Sequence, residues 1–406
     1  MDTLNKIKKS INHAMKSQFY QTHFAGINLD DIKSMNDFIK LPFTDKEDLH
    51  KAYPFGLQAV PDEEIVRIHS SSGTTGAPVI IPYTKKDVED WAIMFKRCYE
   101  TAGCTNLDRI HITPGYGLWT AGIGFQAGAE LLGALAIPMG PGNTDKQIKM
   151  MIDLKSTVIC ATSSYALLLA EEIEKRGVRD KIHLKKGVIG SERWGDKMRK
   201  RIAGELGVEL YDIYGLTEIY GPGIGINCQL QSAMHMWTDY MYCEIIDPRT
   251  CELVPDGETG ELVITTMCKE GAPLIRYRTH DLTKIVPGKC ECGLEYPRIA
   301  TLIGRSDDMV KVRGAIIYPS RVDELLATIE GVSSEYQIMI DHLNGKDILT
   351  LFFETKEKSD AVHHLERIVE NEFKYRIGLL PKAKAVGMGE LPRSEKKSTR
   401  VFDNRY

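Results

Sequence analysis

TVICATSSYALLLAEEIEKRGVRDKIHLKKGVIGSERWGDKMRKRIAGELGVELYDI, residues 157–213, decides the fold class. Three apolar runs, Thr157–Ala161, Gly187–Gly190 and Val208–Ile213, are too short for helices and show no polar alternation. Strands covered on both faces read this way. Between them, Tyr165–Arg176 and Lys197–Leu206 repeat apolar residues at helical spacing. Strand, helix, strand, helix, strand predicts a parallel α/β layer.

Upstream, residues 5–25 (Ile7, Ile11, Met15, Phe19), Lys85–Thr101 and Lys146–Leu154 are expected helices, the last capped by Thr144 or Asp145. Downstream of residue 235 the pattern changes. Tyr242–Ile246, Gly260–Thr266 and Thr283–Val286 read as strands separated by the turn sequences DPRT, PDGETG and VPGK. A hairpin (Met309–Ile317), a helix (Pro319–Ile329), strands near 336–340 and 348–354 and a helix (Ser359–Arg376) make a separate α+β unit. The expected architecture is α/β: a large N-terminal domain, 1–304, with layered sheets and a β-rich subdomain, then a small α+β domain, 305–406.

The 406 residues are 43% hydrophobic and 27% charged, with net charge -4. That excludes a disordered or collagen-like chain. No basic field favours nucleic acid. No apolar run approaches the ~18 residues of a membrane span. The first residues, MDTLNKIKKSINHAMKSQF, lack the apolar core of a signal peptide. Nine scattered cysteines fit a reducing cytoplasm better than a disulfide framework.

Four stretches carry chemistry. Ser70-Ser71-Ser72-Gly73-Thr74-Thr75-Gly76 follows an apolar run, Ile65–Ile68, and precedes another, Val79–Ile81. Packed hydroxyls and glycines let backbone N–H groups approach an anion. The Gly-Lys-Ser/Thr ending of a Walker loop is missing. Asp212-Ile213-Tyr214-Gly215-Leu216-Thr217-Glu218 supplies a ring, a close backbone, a hydroxyl and an oxygen ligand suited to Mg²⁺. Arg276–Asp281, with Gly304-Arg305 downstream, offers a carboxylate for ribose hydroxyls and a guanidinium to support it. Leu391–Lys397 places a lysine on a terminal loop, where it can meet a phosphate. Each stretch alone also fits a bland structural role.

In this order and spacing the four resemble the acyl-adenylate-forming ligases, most closely the phenylacetate–CoA ligases. Lys40–Leu49, Tyr53-Pro54-Phe55-Gly56, Arg67-Ile68-His69, Gly115–Thr120, Pro273–Thr279 and Gly304–Met309 with Val312-Arg313-Gly314 extend the likeness over nearly the whole chain. The resemblance implies activation of an aryl acid by ATP to acyl-AMP, then transfer to CoA. Ser70–Gly76 would hold the phosphates, Thr217 a phosphate and Glu218 Mg²⁺. Asp212, Ile213, Tyr214 and Gly215, with Gly190-Ser191-Glu192 opposite, would flank the adenine. Asp281 and Arg305 would hold the ribose. Lys397 would bridge the acid and the α-phosphate. Asp307 would be the hinge of a mobile C-terminal domain whose swing brings in the Val312–Gly314 hairpin. Tyr116, Gly117, Trp119, Phe125 and Gly215 would wall the acyl site; Trp119 and Phe125 also suit ordinary core. A homodimer is implied too. The chain departs from the family pattern at His280 and Lys396, where glycine is usual, and at Ala77 and Val79.

Cys228, His235, Cys290 and Cys292 have the donor chemistry of a structural Zn²⁺ site. Their spacing departs from common finger patterns, and four inert side chains remain the alternative. A similar set in some phenylacetate–CoA ligases supports the metal; Cys243 and Cys268 are possible substitutes. Two other functions stay open: an adenylate-forming enzyme with an amine, carrier-protein or coenzyme acceptor, and a zinc-ribbon interaction module without catalysis.

Overall fold

A computed structural model describes residues 2–71, 78–192, 194–231, 233–343, 345–358, 360–393 and 399–405. Its centre is a nine-stranded sheet. From one edge the strands run Leu135–Pro138, Arg109–Ile112, Val158–Thr162, Lys186–Gly190, Glu209–Leu216, Gly221–Asn227, Met234–Met236, Arg298–Ile299 and Ile285–Val286. The first five are parallel, and the sheet is antiparallel from Gly221–Asn227 onward. Residues 157–213 thus form the expected βαβαβ unit, with helices Ser163–Lys175 and Asp196–Leu206.

The central parallel strands are largely apolar because both faces are covered: Val158–Thr162 is buried at every position. On one side Ile148, Leu169, Ile173 and Ile202 close a buried cluster; on the other Trp91, Phe95 and Phe125 join the main core. Arg109–Ile112 sits between Leu135–Pro138 and Val158–Thr162, so the chain reverses its direction of travel across the sheet there. Crevices at such a reversal, beyond the carboxyl ends of parallel strands, are where open α/β sheets bind ligands.

A four-stranded antiparallel sheet follows: Met241–Ile246, Gly260–Thr266, Tyr277–Thr283 and Gly304–Arg305. The expected single strand Thr283–Val286 is divided. Tyr277–Thr283 stays in this sheet, while Ile285–Val286 crosses to the large one. Residues 5–25 form two helices, Thr3–Ala14 and Gln18–His23, because the Ser17 hydroxyl caps the second. Asn143, at φ 52°, caps the helix Thr144–Asp153, displacing Thr144 and Asp145 from that role.

From residue 310 a third cluster closes on itself, from Val310 to Val401. It packs helices Pro319–Ala327 and Asp360–Ile377 against a sheet ordered Lys382–Gly387, Lys346–Thr355, Val332–Leu343, Val401–Asp403. No helix among the described residues is long and apolar enough to cross a membrane.

Candidate active site

The strand Ile65–Ser70 turns back as Ile80–Thr84 in an antiparallel hairpin. Its closing end is fixed by Ser71 N–H on the Val79 carbonyl (3.1 Å) and Val79 N–H on the Ser71 hydroxyl (3.2 Å). Ser70 N–H also donates to Leu118 O at 2.8 Å, joining this hairpin to the segment after Arg109–Ile112. Ser72, Gly73, Thr74, Thr75 and Gly76 lie outside the described residues. So does Lys397.

Opposite, the parallel strands end in the predicted nucleotide residues. Gly190 closes Lys186–Gly190, and a Cβ there would lie 2.4 Å from the Ile213 carbonyl oxygen. Ser191 follows at φ 69°. The Glu192 carboxylate accepts from Ser163 Oγ (2.9 Å), Ser164 N (2.9 Å) and Ser164 Oγ (2.6 Å), at the start of helix Ser163–Lys175. A carboxylate belongs there, where helical N–H groups are otherwise unmatched.

On Glu209–Leu216, Asp212 accepts from Arg199 at 3.1 Å. Burial pushes its carboxyl up to about 6, against the pull of Arg199. Tyr214 donates its hydroxyl to Asp281 at 2.7 Å. Arg305 donates to the other Asp281 oxygen at 3.3 Å and forks onto Asp307 with two bonds of 2.8 Å. Tyr214 of the predicted adenine residues and the predicted ribose residues Asp281 and Arg305, from three distant stretches, therefore meet in one clasp. Gly215 is obligatory: a Cβ would come within 2.0 Å of the Gly221 carbonyl oxygen.

Thr217 and Glu218 are nearly buried, at 9% and 8% exposure. The Thr217 hydroxyl lies 3.3 Å from that of Thr120. Beneath this turn is Lys269, which sequence reasoning missed. Burial drives its ammonium down to about 7. Nothing in TTMCKEG marks that lysine as buried.

Of the acyl-site residues, Tyr116 and Gly117 are exposed and Trp119 half-buried, all on the segment that follows the sheet's reversal. Phe125 differs. It is 1% exposed, its ring centroid 4.8 Å from that of Phe95, inside the main core. Its helix, Ala121–Leu132, turns that face toward Lys85–Thr101.

Arg276 and Arg278 hold the scaffold together. Buried Arg276 pairs with buried Glu244 (3.0 Å) and donates to the carbonyls of Ile39 and Leu41. Arg278 forks onto Glu261 at 2.8 and 2.9 Å. Burial alone would raise the Glu261 carboxyl, but Arg278 and His280 hold it at about 2.

The four soft donors converge. The ligand atoms of Cys228, His235, Cys290 and Cys292 lie within 4.8 Å of one another. Cys228 Sγ is 3.7 Å from Cys290 Sγ, and Cys292 Sγ is 3.3 Å from His235 Nε2. A tetrahedral ion with bonds of about 2.3 Å to sulfur would hold a pair of sulfurs roughly 3.8 Å from each other. The other imidazole nitrogen, His235 Nδ1, is 3.1 Å from the Tyr296 carbonyl oxygen, the arrangement that leaves Nε2 for a metal. The residues fit zinc.

Residues 25–268 match the AMP-binding enzyme family and residues 314–405 the AMP-binding enzyme C-terminal domain. The chain is 40% identical to phenylacetate-coenzyme A ligase of Escherichia coli K12, over 98% of this chain and 93% of that protein. It is 39% identical to the enzyme of that name from Pseudomonas putida, over 99% and 93%. Among solved structures, 2-hydroxyisobutyryl-CoA ligase in the postadenylation state with 2-HIB-AMP superposes with TM-score 0.90 at 27% identity, covering 99% of this chain and 89% of that one. The same ligase in the thioesterification state, with 2-HIB-AMP and CoA, gives 0.72 at 28% identity, with the same coverage. The chain belongs to the AMP-binding enzymes, in the family of the phenylacetate–CoA ligases.

Proposed function

We propose that this chain is an AMP-forming aryl-acid–CoA ligase. A carboxylate oxygen attacks the α-phosphorus of ATP. The bond to pyrophosphate breaks, and acyl-AMP forms. The CoA sulfur then attacks the acyl carbon, its proton leaves, and AMP departs with the former carboxylate oxygen. The observation that carries this reading is the clasp of Tyr214, Asp281 and Arg305, which sets an aromatic ring beside a buried carboxylate at the strand ends.

In this reading Tyr214 stacks on the adenine, with Asp212, Ile213, Gly215 and the Gly190-Ser191-Glu192 turn around it. Asp281 accepts from the ribose hydroxyls, oriented by Arg305. Ser70–Gly76 and Thr217 hold the phosphates. Glu218 would hold Mg²⁺, which neutralises phosphate charge. Lys397 would carry a mobile positive charge to the reacting oxygens, at the end of a segment anchored four residues earlier by Arg393. Tyr116, Gly117 and Trp119 wall the acyl site, and aromatic walls suit an aryl ring. Phe125 supports that wall from behind. Residues 1–304 and 305–406 form two domains pivoting at Asp307. Cys228, His235, Cys290 and Cys292 hold a structural zinc ion. A cytoplasmic homodimer completes the proposal.

A panel of aryl acids, assayed by ATP–pyrophosphate exchange and by AMP release, tests it. Exchange is expected to need an acid and not CoA, while sustained AMP release needs both. AMP release indifferent to CoA would transfer the assignment to another acceptor.

A further inference from the structure

Lys269 is 2% exposed, and the carboxylates whose charge acts on it are those of Asp87 and Glu218. A buried cation is costly unless its donors are used. This one donates to the main-chain carbonyls of Ile219 and, at 3.5 Å, Glu218. Its ammonium also lies over the rings of Tyr83 (4.4 Å) and Tyr220 (4.8 Å), favourable faces for a desolvated cation. The backbone carrying it is fixed in turn. Buried Asp87 accepts Glu270 N–H and Gly271 N–H, each at 2.8 Å, and Thr84 N–H at 3.1 Å. The Tyr83 hydroxyl donates to the Thr217 carbonyl at 3.5 Å. The turn bearing Thr217 and Glu218 is thus held from below by one ammonium and one hydroxyl.

We propose that Lys269 is a positioning residue for adenylation: it fixes the Ile219 and Glu218 carbonyls, and through them the place from which the Glu218 carboxylate meets the metal–triphosphate. The proposal rests on the reading of Glu218 as a metal ligand. Groups that orient metal ligands are worth roughly 10–100-fold in metal affinity when removed.

The test measures Mn²⁺ binding, by electron paramagnetic resonance of free Mn²⁺, in the complex with a non-hydrolysable α,β-methylene ATP analogue. Wild type, Lys269→Met and Glu218→Gln are compared. Lys269→Met is expected to weaken Mn²⁺ binding by roughly tenfold or more. It should raise the Mg²⁺ needed for pyrophosphate exchange to a similar degree, while thioester formation from supplied acyl-AMP stays near wild type. If Glu218→Gln weakens Mn²⁺ binding and Lys269→Met does not, Lys269 is structural only and the proposal falls while Glu218 keeps its role. Unaltered Mn²⁺ binding in Glu218→Gln overturns both readings. Equal loss in both half-reactions of Lys269→Met also counts against positioning. Should Lys269→Met not fold, Lys269→Arg keeps the charge in a larger head that must displace the turn. Weaker Mn²⁺ binding is then expected, and unchanged binding overturns the proposal.

Discussion

At φ 62°, His280 occupies a backbone conformation that glycine adopts freely and other residues adopt at a cost of roughly 1–2 kcal/mol. The imidazole offsets that strain. Its Nδ1–H donates to Ser306 Oγ (3.1 Å), and the Ser306 hydroxyl donates to Glu261 (2.9 Å), whose carboxylate is 3.6 Å from the ring. Glu261 raises the His280 pKa above its ordinary value. A raised base contributes its full stability below the unfolded value of about 6.5 and loses it as pH climbs through the folded value. His280→Gly should therefore be relatively unfavourable near pH 6 and relatively favourable near pH 9. Thermal unfolding at both values should show the variant-minus-wild-type midpoint move in glycine's favour on going to high pH. An equal difference at both values would sever the link to Glu261. The sequence shows His280 standing in a glycine position of the resemblance. It does not show the dihedral angle or the Ser306–Glu261 partners that make a histidine tolerable, because those partners lie 19 and 26 residues away in the sequence.

At the scale of elements, the Cys/His cluster clips one edge of the large sheet. Cys228 follows the strand Gly221–Asn227, His235 lies on Met234–Met236, and Cys290 and Cys292 precede Arg298–Ile299, which pairs with Met234–Met236. These outer strands are only two or three residues long, so pairing alone leaves them weak. Cys290→Ser should lose zinc by elemental analysis and lower the unfolding midpoint, with acid-dependent exchange still measurable. Zinc content equal to wild type would contradict the ligand set. The cluster was legible because soft donors are rare residue types. The parallel strands were legible because apolar runs have few other uses. Gly221–Asn227 was not. Its glycines carry no strand pattern, yet Gly223 lies under Phe95 and Gly225 against Met236, where a Cβ would come within 3.0 and 2.6 Å. Glycine serves packing there, and no local pattern distinguishes that use from a bend. The helix Lys85–Thr101, which supplies Phe95, matches its predicted bounds because Thr84 and Asp87 form a capping box.

Across the whole molecule, the postadenylation likeness has a local counterpart in the contacts between the small C-terminal unit and the rest. Arg393 forks onto Glu354 in the C-terminal sheet (2.8 and 2.8 Å) and onto Glu171 on the helix Ser163–Lys175 (2.9 and 3.1 Å). Arg201 shares Glu171 at 2.7 Å. Nearby, Lys197 donates to the carbonyls of Leu326, Ile329 and Val332, at 2.7–2.9 Å, where the helix Pro319–Ala327 runs out. The swing about Asp307 proposed above would have to break these contacts. Glu354 is fully buried, so removing Arg393 itself would strand a carboxylate and unfold the small domain before reporting on the swing. Glu171 is the cleaner probe, because it is partly exposed and Arg393 keeps Glu354 when it is gone. Glu171→Ala should weaken the adenylation arrangement by roughly 1 kcal/mol, about fivefold in the ratio of the two arrangements. Pyrophosphate exchange should fall by at most about that factor, while thioester formation from supplied acyl-AMP holds or rises. Equal falls in both half-reactions would mean that the Arg393–Glu171 contact stabilises the protein without selecting between arrangements.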